Sequence, residues 1–214
     1  MFSGCHNLTT FTSDLSSLTN GDYMFLDCYG LTAFNCDNLS SLKSSNWMFQ
    51  RCYNLTTFDA DLSSLKGAQS MFVNCYGLTA FSSNLSSLTE SRYMFSTCYS
   101  LTAWDVELPS LTNGNGMFYC CYGLTEWDVE LPSLTDSSLM FYNCYGLTAF
   151  NCDDLSSLTV GRNMFYGCYS LTAFNCPDLS SLTNGKEMFY RCYSLTAFNC
   201  PDLSSLTNGY MMFR

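Results

Sequence analysis

Fourteen cysteines in 214 residues are the side chains with the most chemistry to offer. Nine of them form one series at intervals of 23 or 24 residues: Cys5, Cys28, Cys52, Cys75, Cys98, Cys121, Cys144, Cys168 and Cys192. Cys36, Cys152, Cys176 and Cys200 form a sparser second series, and Cys120 makes a vicinal pair with Cys121. Such a set is open to disulfides, to metal ligation, or to burial as small apolar side chains. Zinc needs ligands that converge tetrahedrally, usually from C-x-x-C knuckles, and the sequence has none. Neighbours in a stacked column lie about 4.8 Å apart, inside the Cα range of a disulfide. Nine is an odd number, however, and parallel side chains do not aim at one another. Buried thiols are the favoured reading, with some disulfides, then metal, as the lesser alternatives. His6 is the single histidine, and no phosphate-binding glycine loop, nucleophile elbow or paired-carboxylate motif accompanies it. The residues point away from catalysis and imply no metal and no cofactor.

The elements that position these residues follow from the same periodicity. Met-Phe or its equivalent begins units at residues 1, 24, 48, 71, 94, 117, 140, 164 and 188, and a tenth begins at 212. Residues 1–214 therefore read as a single leucine-rich-repeat array of nine stacked coils, a repeat solenoid. Within the unit at 164, Met164, Cys168 and Leu171 fall at i, i+4 and i+7, which predicts a short helix or helical turn. Phe174 and Cys176 alternate inward on an extended strand. Leu179 and Leu182 return along the core, and Asn184-Gly185 supplies a turn. The expected coil has a short parallel strand on one face and helical turns or loops on the other, wound right-handed.

The run C-x-x-L-x-x-F-x-C-x-x-L-x-x-L-x-x-G-x-x-M-F resembles the BspA-like, or treponemal-type, leucine-rich repeat. Cys168, Leu171, Phe174, Cys176, Pro177, Leu179, Leu182 and Phe165 fall on that family's positions. The departures are Met for Ala before the Phe, and an aromatic for the first Ile. The resemblance covers the whole chain and implies a surface-exposed or secreted microbial adhesion module. It carries no catalytic residues, and ligands within the family differ widely.

Stacking turns each position into a column. The outward strand column holds Asn35, Asp59, Asp105, Asp128, Asn151, Asn175 and Asn199, with Thr12 and Ser82 completing it. It reads either as a ligand-contact strip or as a plain solvated sheet with threonine's β propensity. A tyrosine column follows the main cysteine series from Tyr29 to Tyr193. Its later members Tyr122, Tyr145, Tyr169 and Tyr193 are candidate contacts for a sugar or protein, or else an edge ladder that joins coils. Tyr119, Tyr142, Tyr166 and Tyr190 lie three residues earlier. Asn7, Asn38, Asn54 and Asn84 head N-glycosylation sequons, for which chance in an Asn/Ser/Thr-rich chain is the plainer account.

The formal charge of −10, with eight scattered Lys and Arg, gives phosphate backbones no footing, so nucleic acid is excluded as a partner. No apolar run reaches membrane-spanning length, which excludes direct insertion. The expected role is an extracellular or cell-surface adhesion or ligand-binding module for a protein or carbohydrate. The alternative is a structural spacer, stalk or fibre subunit, and an ice-binding threonine face is a minor third idea. Both ends keep apolar core positions, so a window on a longer array, or head-to-tail self-association, is expected over a self-capped monomer.

Overall fold

The computed structural model describes residues 1–176, 178–200 and 202–214, so Pro177, one of the family-matching positions, lies outside the described residues. The chain winds as a parallel β-solenoid. Among the described residues eight short strands run along one side: β1 Thr10–Phe11, β2 Ala33–Phe34, β3 Thr57–Phe58, β4 Ala80–Phe81, β5 Glu126–Trp127, β6 Ala149–Asn151, β7 Ala173–Asn175 and β8 Ala197–Asn199. They pair in parallel with equivalent residues opposite one another, as Phe150 faces Phe174 and Phe174 faces Phe198. β1 pairs with β2, β3 with β4, and β5 to β8 form a four-stranded sheet. A second line of parallel bridges runs up the return limb, from Asn20–Ser44 to Asn184–Asn208.

Two expectations are corrected. No helix occurs among the described residues; the segments read as helical turns are stacked tight turns. In the unit at 24, the N–H groups of Tyr23, Phe25 and Asp27 donate to Asn46, Met48 and Gln50 of the next coil. Those of Met24, Leu26 and Cys28 turn back to the carbonyls three residues earlier. A backbone that sends alternate donors outward cannot build an i→i−4 ladder. Left-handed residues enforce the pattern, with φ of 59° at Tyr23 and 61° at Asp27, and equivalents in later coils. The spacing i, i+4, i+7 is thus produced by turns that point Met, Cys and Leu inward.

The second correction concerns unit 5, where Ala103-Trp104 forms no strand and the line of strands is interrupted. Trp104 sits there, and Trp127 holds the same column one coil on, within β5. Trp104 and Trp127 donate their ring N–H to the carbonyls of Val106 and Val129. Their centroids stand 6.4 Å apart, against 5.6 Å for Phe11–Phe34 in the same column.

One continuous apolar core runs from Phe11 to Met212. Two aromatic ladders fill it. The Phe after each Met stacks on its counterparts, as Phe141 on Phe165 at 5.4 Å. The strand aromatics meet that ladder edge-on, as Trp127 meets Phe141 at 4.9 Å and 70°. Parallel contacts along each ladder and edge contacts between ladders both suit the ring quadrupole.

All fourteen cysteines are free thiols. From Cys28 to Cys192, each main-series Sγ donates to the carbonyl of a Phe in the preceding coil, at 3.0 Å for Cys168 to Phe141 and 3.1 Å for Cys144 to Phe118. The column that could have formed disulfides therefore works as a ladder of weak donors. Burial pushes these thiols up, Cys192 to about 12. Titration in denaturant without reductant is expected to count all fourteen thiols. A count close to zero would show disulfides in their place.

Leu139 offers a test of the turn geometry. Its φ is 61°, while Gly116 holds the same column one coil earlier at 62°. A left-handed L-residue costs about 1–2 kcal/mol, offset in part by the flexibility glycine adds to the unfolded chain. Leu139→Gly is expected to raise stability by about 0.5–1 kcal/mol in urea melts. A loss of that size would show that Leu139's packing outweighs its backbone strain.

Candidate interaction surface

The strand face turns out to spend much of its polarity on itself. Asn175 Nδ2 donates to Asn151 Oδ1, and Asn199 Nδ2 donates to Asn175 Oδ1, both at 2.7 Å. The threonine beside each strand behaves alike: Thr148 and Thr172 donate their hydroxyls at 3.0 Å to the carbonyls of Thr125 and Thr148. The return-limb threonines do the same, as Thr159 does to Thr135 and Thr183 to Thr159. These hydroxyls join coils and leave little donor capacity to spare, which also weakens a lattice-matching ice face.

The middle of the array differs. Asp59, Asp105 and Asp128 are exposed, as is Asn35 in the second unit. Around the interrupted unit 5, Asp105, Glu107, Glu126 and Asp128 bring four carboxylates to one face, and no described side-chain hydrogen bond or ion pair reaches them. A shallow concavity lined by Thr102, Ala103, Trp104, Thr125, Glu126 and Asp128 lies between units 5 and 6. A second, lined by Ser82–Ser86 and Asp105–Glu107, lies between units 4 and 5. Glu130 is used differently: its carboxylate accepts the N–H groups of Asp153 and Asp154 and clamps the next coil. Sequence reading singled out Asp105 and Asp128 and placed Trp104 and Trp127 in the core, where both are buried, but passed over Glu107 and Glu130. The available signal was the run W-D-V-E-L-P at 104–109 and again at 127–132, where other units read F-N-C-P-D-L or similar.

The tyrosines form two ladders. Tyr29, Tyr53, Tyr76, Tyr99, Tyr122, Tyr145, Tyr169 and Tyr193 stack in sequence on His6, with centroids 4.5–5.7 Å apart. Tyr119, Tyr142, Tyr166 and Tyr190 make a shorter stack at 4.7–5.0 Å. Arg191 lies against its last rings, 5.9 Å from Tyr166 and 5.6 Å from Tyr190. Desolvation raises Tyr119 to about 12 and lifts Tyr142 and Tyr145 as well. Inside each ladder the ring faces cover one another, so edges and hydroxyls are what solvent meets. A sugar that needs an open aromatic face finds none along the interior rungs.

The sequon asparagines Asn7, Asn38, Asn54 and Asn84 are all exposed. Three are engaged locally. Asn38 and Asn84 accept the N–H of Ser40 and Ser86 through Oδ1, and Asn54 Nδ2 donates to the Tyr29 carbonyl. Equivalent aspartates close the same turn elsewhere. Side-chain and backbone bonds from Ser180 hold the Asp178 carboxyl below its usual range.

Comparison with known proteins agrees with this architecture. No curated protein matches the chain. Among solved structures it is similar to a leucine-rich repeat protein of T. pallidum, at 22% identity over 75% of each chain with a TM-score of 0.61. A leucine-rich repeat protein from Eubacterium ventriosum shares 17% identity over 92% of this chain and 68% of that one, with a TM-score of 0.43. At those identities the first likeness speaks for the fold alone. The pattern described as the BspA type leucine rich repeat region matches residues 1–102, 43–138, 68–157 and 114–213. With repeats of that pattern running through nearly its whole length, the chain belongs to the BspA-type leucine-rich repeat family.

Proposed function

We propose that the chain is an extracellular or cell-surface adhesion module that binds a protein ligand through the strand face of units 5 and 6. One observation carries this reading. Most polar groups along the array are consumed by coil-to-coil ladders, yet Asp105, Glu107, Glu126 and Asp128 keep unpaired carboxylates beside Trp104 and its flanking concavities. Exposed carboxylates suit a partner that presents Lys or Arg, which are steered in by the −10 charge of the chain. A carbohydrate partner is less favoured because the tyrosine faces are covered. The reading assigns no catalysis, metal or cofactor. No described helix is long and apolar enough to cross a membrane.

The test is a panel of immobilised extracellular proteins and glycans probed with the full chain at low and high salt. Binding to basic proteins is expected, weakening with salt and falling about tenfold in Asp105→Asn/Asp128→Asn. The second reading, a spacer or stalk, is favoured by the self-satisfied Asn ladder of units 7 to 9. No reproducible binding at high protein density would support it and overturn the first. Glycan binding lost on Tyr145→Ala would move the contact to the tyrosine edge.

A further inference from the structure

We propose that the main tyrosine ladder is a site of oxidative cross-linking, where a heme peroxidase working with hydrogen peroxide joins tyrosines of adjacent coils through carbon–carbon bonds. The case rests on geometry and on phenol chemistry. Tyr76, Tyr99, Tyr122 and Tyr145 stand at centroid separations of 5.0, 4.7 and 4.8 Å, with planes 2°, 4° and 7° apart. Parallel rings in register place each ring's ortho carbons opposite those of its neighbour. The outer edges remain open, for Tyr76, Tyr99 and Tyr122 are 37–38% exposed. An oxidant in solution therefore reaches them, and the side chains keep freedom to tilt towards one another.

Each oxidised tyrosine gives one electron to the peroxidase and its phenolic proton to water, leaving a neutral radical with spin on the ortho carbons. Two neighbouring radicals then couple ortho to ortho. Each loses its ortho hydrogen as a proton while its oxygen regains one, which restores both phenols. The balance is two tyrosines and one hydrogen peroxide to one linked pair and two waters. Three thiols compete for the radicals: exposed Cys5, half-buried Cys200, and Cys120, which lies against the Tyr122 hydroxyl. The main-series thiols from Cys28 to Cys168 are fully buried, and burial holds them protonated, the form that resists oxidation.

The stack also sets selectivity. Tyr23 and Tyr210 are more exposed, at 47% and 57%, but neither has a tyrosine beside it. Tyr23 lies on Trp47 and Tyr210 under Lys186. Accessibility alone would favour these two together with the end rung Tyr193, at 72%, whereas the ladder geometry favours the interior rungs.

The experiment treats the dilute full chain, with Cys5 alkylated, with a heme peroxidase and limiting hydrogen peroxide. Intact mass, size-exclusion chromatography and peptide mapping are then read together. The expected product is monomeric, lighter by two hydrogens per link, with links such as Tyr76–Tyr99 and Tyr122–Tyr145. Tyr99→Phe keeps a ring in the stack but cannot form a phenoxyl radical. It is expected to abolish links to residue 99 and leave Tyr122–Tyr145 intact. Links dominated by Tyr23 or Tyr210, products formed only between molecules, or oxidation without links would each overturn the proposal. So would an unchanged Tyr76 and Tyr122 link pattern in Tyr99→Phe.

Discussion

Between pH 8 and pH 10 the protein is expected to lose its folded state. Cys52, Cys75, Cys98, Cys121, Cys144, Cys168 and Cys192 all have thiols pushed up by burial. In the unfolded chain a thiol ionises near 8.5. Above that value the unfolded chain binds fewer protons than the folded one, so stability falls as pH rises. The contribution is fully present below about 8.5 and is lost progressively towards the folded values, about 12 for Cys192. Each group accounts for about 1.4 kcal/mol per pH unit in that window, so the column together approaches about 10 kcal/mol per unit. Few folded domains withstand such a slope, because total stability is usually about 5–15 kcal/mol. Urea midpoints measured with reductant are expected to hold steady up to about pH 8 and then collapse. Cys144→Ala should make the decline shallower by about one thiol's share. A midpoint unchanged between pH 7.5 and 9.5 would mean that the thiols ionise in place, and that the ladder of S–H donors is misread.

Phe141→Ala is expected to divide the molecule's unfolding into two steps. Phe141 is fully buried between Phe118 and Phe165, and Trp127 and Phe150 meet its edges. Emptying such a site typically costs about 3–5 kcal/mol. In a compact globule that cost spreads through one cooperative unit, whereas in a stack each coil touches only its neighbours. The cavity should therefore uncouple the coils before residue 141 from those after it. Indole fluorescence, from Trp47, Trp104 and Trp127, reports the coils before residue 141, and far-ultraviolet circular dichroism reports the whole. In the variant the two signals should no longer coincide during denaturation. A single coincident transition shifted by less than about 1 kcal/mol would contradict nearest-neighbour coupling.

Much of this architecture was legible from residue spacing. The Met-Phe interval set the coil, and the inward Cys, Leu and aromatic columns are the buried ones, from Cys28, Leu31 and Phe34 onward. Register followed too, since equivalent residues face one another across each strand pair. The turn segment was misread because Met164, Cys168 and Leu171 fit a helical face as well as they fit stacked turns. What separates the two is the sign of φ at Asn163 and its counterparts. That column holds Tyr, Trp, Ser, Leu, Asn, Glu and Met, with Gly at residue 116 alone, so no residue type announces it. The surface was less legible for a different reason. A threonine or asparagine in a column looks like a free donor until its neighbour one coil away is known to accept from it. Where the pattern breaks, at the two W-D-V-E-L-P runs, the carboxylates of Asp105, Glu107 and Asp128 stay unspent.

The coil-to-coil hydrogen bonds have a mechanical consequence. Tension along the axis loads the rungs in series, so the weakest coil opens first while its neighbours hold. A coil occupies about 4.8 Å of the stack, but its 23 or 24 residues reach about 80 Å when drawn out. Each rupture would therefore release slack roughly sixteen times the height it removes. A load carried through such an array would register as a sawtooth of force, with the pull absorbed coil by coil.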